Sequence, residues 1–126
     1  MSMDSRDKRQ PLLKALSNAF DGIKTALKSE RNMRIHFISS FLAIGASFYF
    51  SITKIEWLFI LFAIGGMFAL ELVNTAIERV VDLVTSERHP LAKQAKDIAA
   101  GAVMIYAILS VIIGSMIFFP YVLKLF

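Results

Sequence analysis

No cysteine occurs anywhere in the chain. Disulfides, thiolate metal sites and cysteine nucleophiles are therefore excluded, while the compartment stays open. Histidine is almost as scarce: only His36 and His89 are present. His36 falls in an apolar run, where a packing or hydrogen-bonding role is expected, and His89 falls in a polar turn. No Ser-His-acid arrangement emerges from them. There are only six glycines, and none belongs to a GxxxxGK[ST] or GxGxxG pattern. Any nucleotide site here is of another kind. Gly65-Gly66 lies within an apolar run, where close helix packing is the expected use. Internal repeats and low-complexity tracts are also lacking. The N-terminus is charged and then amphipathic, without a short apolar core and small-residue cleavage site, so no cleavable signal peptide is expected.

What the chain has in abundance is apolar sequence. Of its 126 residues, 56% are hydrophobic, and mean hydropathy is +0.61. Both exceed the norm for a soluble domain, and the length suits one domain spanning 1–126. Uncharged runs extend from Ile35 to Ile52, Trp57 to Leu70 and Ile98 to Leu123. A crossing helix needs ~20 largely apolar residues. The first and third runs reach that; the second does so only if the polar segment from Glu71 onward shares its helix. A soluble helical bundle is the alternative, but it has no use for the run IYAILSVIIGSMIFFPYVL. The expected fold is an all-α membrane protein. A surface helix at about 11–28 precedes three transmembrane helices at about 33–52, 57–84 and 91–121.

Charge sets an orientation. The net charge is +4, and Arg6, Lys8, Arg9, Lys14, Lys24, Lys28, Arg31 and Arg34 all precede the first span. Arg79, Arg88, Lys93 and Lys96 surround the second connection, and only Lys54 and Lys124 remain for the other side. The positive-inside rule places the N-terminus and the second connection in the cytoplasm. Anionic headgroups explain the basic excess as well as nucleic acid would, so no nucleic-acid partner is expected. Met1–Gln10 is expected to be disordered. From Pro11, the positions Leu12, Leu13, Leu16, Phe20, Ile23 and Leu27 form one apolar face, which suits a helix on the inner membrane surface. Such a helix could equally be an anchor with no other task. SERNMR connects it to the first span, SITKIEW forms the outer connection with Trp57 as an interfacial anchor, and SERHP is the inner turn. Pro11 and Pro90 each suit a first helical position.

The segment Ala69–Asp82 reads ALELVNTAIERVVD. On a helical projection Asn74, Thr75, Glu78 and Asp82 lie at about −60°, +40°, −20° and +20° from Glu71, so one face carries all five. With Trp57 at the outer interface, Glu71 lies ~21 Å further in. That is still inside a ~30 Å hydrocarbon core, while Glu78 and Asp82 reach its edge. A carboxylate at mid-span costs roughly 2.5–3.5 kcal/mol on insertion scales, less near the edge, and needs a reason. Helix association is one reason, an ion or proton pathway a second. The third is a cation-assisted site at the membrane surface, since Mg²⁺ takes one or two carboxylates plus substrate phosphates. Lys96 and Asp97 lie across a short turn, where antiparallel packing brings them near Glu78 and Asp82. Glu30 and Arg34 share that boundary. Acids for a metal, cations for phosphates and one deeper acid suit phosphoryl transfer to a lipid hydroxyl.

The blocks ELVNTAIERVVD (Glu71–Asp82), SERHP and AKDIAAGAV (Ala95–Val103) resemble the small prokaryotic integral-membrane diacylglycerol kinase family. The resemblance covers the surface helix and all three spans, and its first block is highly specific. ERNMRIH (Glu30–His36) is similar to the Gram-positive branch, whose members resemble undecaprenol kinases. The resemblance implies an ATP- and Mg²⁺-dependent kinase of the bacterial cell membrane that phosphorylates a lipid alcohol. It also implies a homotrimer with sites between subunits. By motif, Glu71 matches the catalytic base, and Glu30 and Glu78 match the metal-binding glutamates. Asn18, Glu30, Glu78, Asp82, Glu87, Arg88, His89, Lys96 and Asp97 match nucleotide-facing positions. Arg34, Glu71, Asn74 and Ala100 match the lipid side. The diacylglycerol-phosphorylating branch has an arginine near Pro11 and an aromatic near Asn18, and this sequence departs from it there. The alternative of another class is a non-catalytic membrane scaffold or an ion-conducting oligomer.

Overall fold

A computed structural model describes residues 11–126; the expectation for Met1–Gln10 falls outside them. Four helices follow one another: α1 (Leu12–Ser29), α2 (Arg31–Tyr49), α3 (Lys54–Val84) and α4 (Pro90–Leu123). Glu30 alone separates α1 from α2, in an extended conformation (φ −110°, ψ 118°) that ends one helix and starts the next. The carbonyls left open at the end of α1 need donors. Arg34 supplies them, its Nη1 lying 3.3 Å from the Leu27 carbonyl and 2.9 Å from that of Lys28. A cation at a helix C-terminus also opposes the dipole.

The connection between α2 and α3, residues 50–53, lies three residues earlier than the expected span ends at 52 and 57 imply. α2 stops at Tyr49 and α3 starts at Lys54, three residues before Trp57. Thr53 and Glu56 form a capping box: Thr53 Oγ1 accepts from the Glu56 N–H at 3.2 Å, and Glu56 Oε1 accepts from the Thr53 N–H at 3.0 Å. That motif is legible as T-x-x-E. Ser51 makes the reversal with φ 50°, in the left-handed region. At the other end, α4 starts on Pro90 at its first turn, with His89 Nδ1 accepting from the Leu91 N–H at 3.1 Å. Pro11 takes the cap rather than the first helical position of α1.

α3 is the central element, packed against α4, α2 and α1. Its buried residues are Ile60, Ala63, Met67, Glu71, Asn74 and Thr75. Apart from Thr75, they follow steps of three and four, so one seam runs from apolar into polar without changing face. The end of the bundle near the α2–α3 connection is sealed by Ile52, Ile60 and Ile117 with Phe50, Trp57 and Tyr121 around them. Tyr121 Oη donates to Glu56 Oε1 at 2.5 Å there. Among the described residues, α3 and α4 are long and apolar enough to cross a membrane. Only 22% and 6% of their apolar windows are buried within the chain, so they are not the core helices of a water-soluble fold. α2 falls short of that measure, because Arg31, Asn32, Arg34, His36, Ser39 and Ser40 interrupt its apolar run.

Candidate active site

The seam of α3 delivers Glu71 to the interior. Glu71 is 1% exposed, the most buried charged residue described. Thr75 Oγ1 donates back to its carbonyl at 2.9 Å. Its carboxylate faces α2, where His36 Nε2 lies 3.9 Å from Oε2 and the Asn32 amide is alongside. Oε2 has no hydrogen-bond partner. A buried acceptor left open is costly and invites a ligand as its partner. Glu30 and Glu78 are the carboxylates close enough to act electrostatically on Glu71. Asn74 Nδ2 donates to Glu78 Oε1 at 3.3 Å, and Asn74 Oδ1 is buried without a partner. One chain therefore supplies Glu30, Glu71, Asn74 and Glu78 together.

Glu78 and Asp82 carry the polar face on toward the α3–α4 turn. Lys96 Nζ lies 2.6 Å from Asp82 Oδ1, and Glu78 is within its electrostatic reach. Glu87, Arg88 and His89 close a cup of about 670 Å³ together with Asp82, Lys93 and Lys96. Asp97 does not join it: its Oδ2 pairs with Lys93 Nζ at 2.5 Å on the exposed face of α4. Antiparallel packing thus unites Lys96 with the α3 acids and leaves Asp97 one step around the helix. Ala100 is exposed, one turn beyond Lys96. Asn18 is half-buried on α1, and among the described residues no hydrogen bond joins it to the Glu71 cluster. Arg34 spends its guanidinium on the end of α1.

Residues 17–118 match the family described as prokaryotic diacylglycerol kinase. The chain belongs to that family. It is 47% identical over 121 residues to the undecaprenol kinase of Bacillus subtilis, covering 94% of this chain and 98% of the relative. It is 38% identical to a diacylglycerol kinase of Synechocystis, covering 90% and 66% of the two chains. It is 33% identical to that of Haemophilus influenzae, covering 86% and 92%. For this kinase-family chain, the residues brought together divide into a deep acid cluster and a charged cup at the helix ends. Asn32 and the His36–Glu71 approach went unread in the sequence. A signal existed: Met33, His36, Ser40, Ala43 and Ser47 follow steps of three and four along α2, a small and polar stripe set against α3.

Among the described residues no group of three or more His, Asp or Glu side chains forms a metal cluster. The arrangement still fits Mg²⁺, which is held by few carboxylates when phosphates complete the shell. Glu30 and Glu78 are the pair available beside the buried acid.

Proposed function

We propose that this protein is an ATP-dependent lipid kinase of the bacterial cell membrane that phosphorylates a polyprenyl alcohol, undecaprenol. The observation that carries this reading is the buried Glu71 carboxylate with an open oxygen, set deep beside a charged cup. The strong likeness to an undecaprenol kinase supports the acceptor. Diacylglycerol is the second acceptor, supported by the other relatives. α1 lies on the inner surface, α2, α3 and α4 cross, the N-terminus is cytoplasmic, and the assembly is a homotrimer.

A lipid hydroxyl stays near the headgroup boundary, whereas ATP stays in water. Glu71 and Glu78 are separated by ~10 Å along the helix axis, which spans that boundary. The acceptor oxygen forms a bond to the γ-phosphorus as the bridging oxygen bond to that phosphorus breaks, and ADP leaves. Glu71 takes the hydroxyl proton as general base. Lys96, Arg88 and His89 hold and neutralise the phosphates; such fixed charges act most strongly where charge is spread in the transition state. Mg²⁺, held by Glu30 and Glu78, supplies charge neutralisation when bound.

The test is a panel of purified variants with radiolabelled ATP and separate polyprenol and diacylglycerol acceptors. Glu71→Gln keeps its size, folds and binds nucleotide, and loses phosphorylation by ~10³-fold or more, as loss of a general base and its positioning implies. Glu30→Gln and Glu78→Gln raise the Mg²⁺ requirement. Activity of Glu71→Gln within a few-fold of the parent would remove Glu71 as the base.

A further inference from the structure

His36 stands where an apolar groove meets the buried acid. A groove of about 310 Å³ runs along α3 between α2 and α4, walled by large apolar side chains such as Ile60, Met67 and Phe118, with small ones between them and His36 at one end. Ser40 and Ala43 line it from α2, Ala63 from α3, and Ser110 and Gly114 from α4. α2 and α4 each pack on α3 but make little contact with one another, so a trough stays open between them, and a chain rather than a side chain fits it. The groove is continuous with the Glu71 cluster, because the His36 ring that ends it also approaches Glu71 Oε2 to 3.9 Å. At that separation the two groups make no direct hydrogen bond. Both have an unused position: no hydrogen bond engages the His36 ring among the described residues, and Oε2 is buried and unpartnered. Ser40 Oγ donates to the His36 carbonyl at 2.7 Å, which ties off one groove hydroxyl locally.

The gap has the size of one oxygen. An oxygen ~2.8 Å from each atom sees them at roughly 90°, within the range a hydroxyl adopts. With its proton on Nε2, the imidazole presents a donor toward Glu71 Oε2, whereas two facing acceptors would repel. We propose that His36 and Glu71 hold the acceptor hydroxyl between them, with the lipid chain lying in the α2–α4 groove. This rests on the lipid kinase reading. His36 Nε2–H donates to the hydroxyl oxygen, and the hydroxyl O–H donates to Glu71 Oε2. One lone pair of that oxygen is left to form the bond to phosphorus. As the bond forms, the proton moves to Oε2 and the phosphate bridge to ADP breaks. His36 changes no protonation state; it fixes the oxygen in place, and alignment of this kind is a large part of a phosphoryl-transfer barrier.

Three variants test it, each assayed for kcat and KM with a polyprenyl alcohol and, separately, with ATP. His36→Leu removes the donor and raises the acceptor KM or lowers kcat, cutting kcat/KM for the alcohol by about tenfold or more as for a lost substrate hydrogen bond. KM for ATP stays at the parental value. His36→Gln restores an N–H donor at similar reach and recovers most of the loss, which a purely packing role would not show. Gly114→Leu narrows the groove; a Cβ there meets nothing within 4 Å in the chain, so the backbone has room for it. It raises the acceptor KM and leaves KM for ATP unchanged. A His36→Leu enzyme with parental kcat and acceptor KM overturns the hydroxyl contact, even where Glu71→Gln is inactive. Unchanged acceptor KM in Gly114→Leu overturns the chain's seat. An active Glu71→Gln enzyme would instead overturn the base assignment, so the two readings fail separately.

Discussion

Lys93 and Lys96 are three residues apart on one helix and meet different acids. Lys93 is 78% exposed and paired within α4, to Asp97; Lys96 is 39% exposed and reaches across to Asp82 on α3. An exposed pair four residues apart contributes only ~0.3–0.5 kcal/mol, so removing Lys93 costs little. Lys96 is the cation held against the acid face that leads to Glu71. Lys96→Met is expected to lower turnover by roughly 10²-fold, as for other fixed charges that meet a transferring phosphoryl group. Lys93→Met stays within about threefold, an effect of the size expected for an exposed pair. Steady-state assays of the two variants side by side check this, and equal losses would reject a specific role for Lys96. Arg34 shows how a charged residue beside a site can be occupied otherwise: its two contacts to the last carbonyls of α1 make it a cap.

At the scale of the helices, the α3–α4 contact depends on one glycine. Tyr106 Oη donates to the Phe62 carbonyl at 2.7 Å. A Cβ at Gly66 would lie 2.1 Å from the Tyr106 ring and hydroxyl, whereas one at Gly65 would meet nothing within 4 Å. The expected packing role for this pair therefore falls on Gly66 alone. Gly66→Ala expels the ring and its hydrogen bond, and overpacking of this kind costs ~1–3 kcal/mol. Gly65→Ala is neutral or stabilising by up to ~1 kcal/mol, because alanine favours the helix. Unfolding of both variants in mixed micelles measures the difference. Equal stability would show that the Tyr106 contact contributes nothing. At the end of the bundle near the α2–α3 connection, the Thr53–Glu56 box and the Tyr121 hydroxyl join the start of α3 to the last turn of α4 through the same Glu56 carboxylate.

For the molecule as a whole, the proposed topology turns on α2. α3 and α4 pass on length and composition, and α2 does not. Its polar residues cluster at its start, where Asn32 and His36 approach Glu71 and Arg34 caps α1, so a low average is expected of a crossing helix that carries part of a site. Single cysteines at Lys24, Ser86 and Phe126, labelled by an impermeant reagent in intact cells, separate the arrangements. With three crossings and a cytoplasmic N-terminus, only Phe126→Cys is labelled. Labelling of Lys24→Cys together with Phe126→Cys would show that α2 does not cross, and labelling of Ser86→Cys would reverse the orientation. A monomer in detergent with full lipid kinase activity, shown by light scattering beside the assay, would reject the homotrimer.

The sequence by itself determined the helices, their ends to within three residues and the single face shared by Glu71, Asn74, Glu78 and Asp82. These depend on local rules: a fixed turn per residue, proline at a helix start, apolar periodicity. The Thr53–Glu56 box was equally local and legible, though the start of α3 was read three residues late. Tertiary structure alone decided what that face meets. It turned the α3 seam toward α2 and brought His36 to Glu71. It chose Asp82 for Lys96 while Asp97 stayed with Lys93, and laid Tyr106 over Gly66. Such choices depend on the rotation and register of one helix against another. These are set by side chains packing across the whole contact, and no stretch of one helix contains that information.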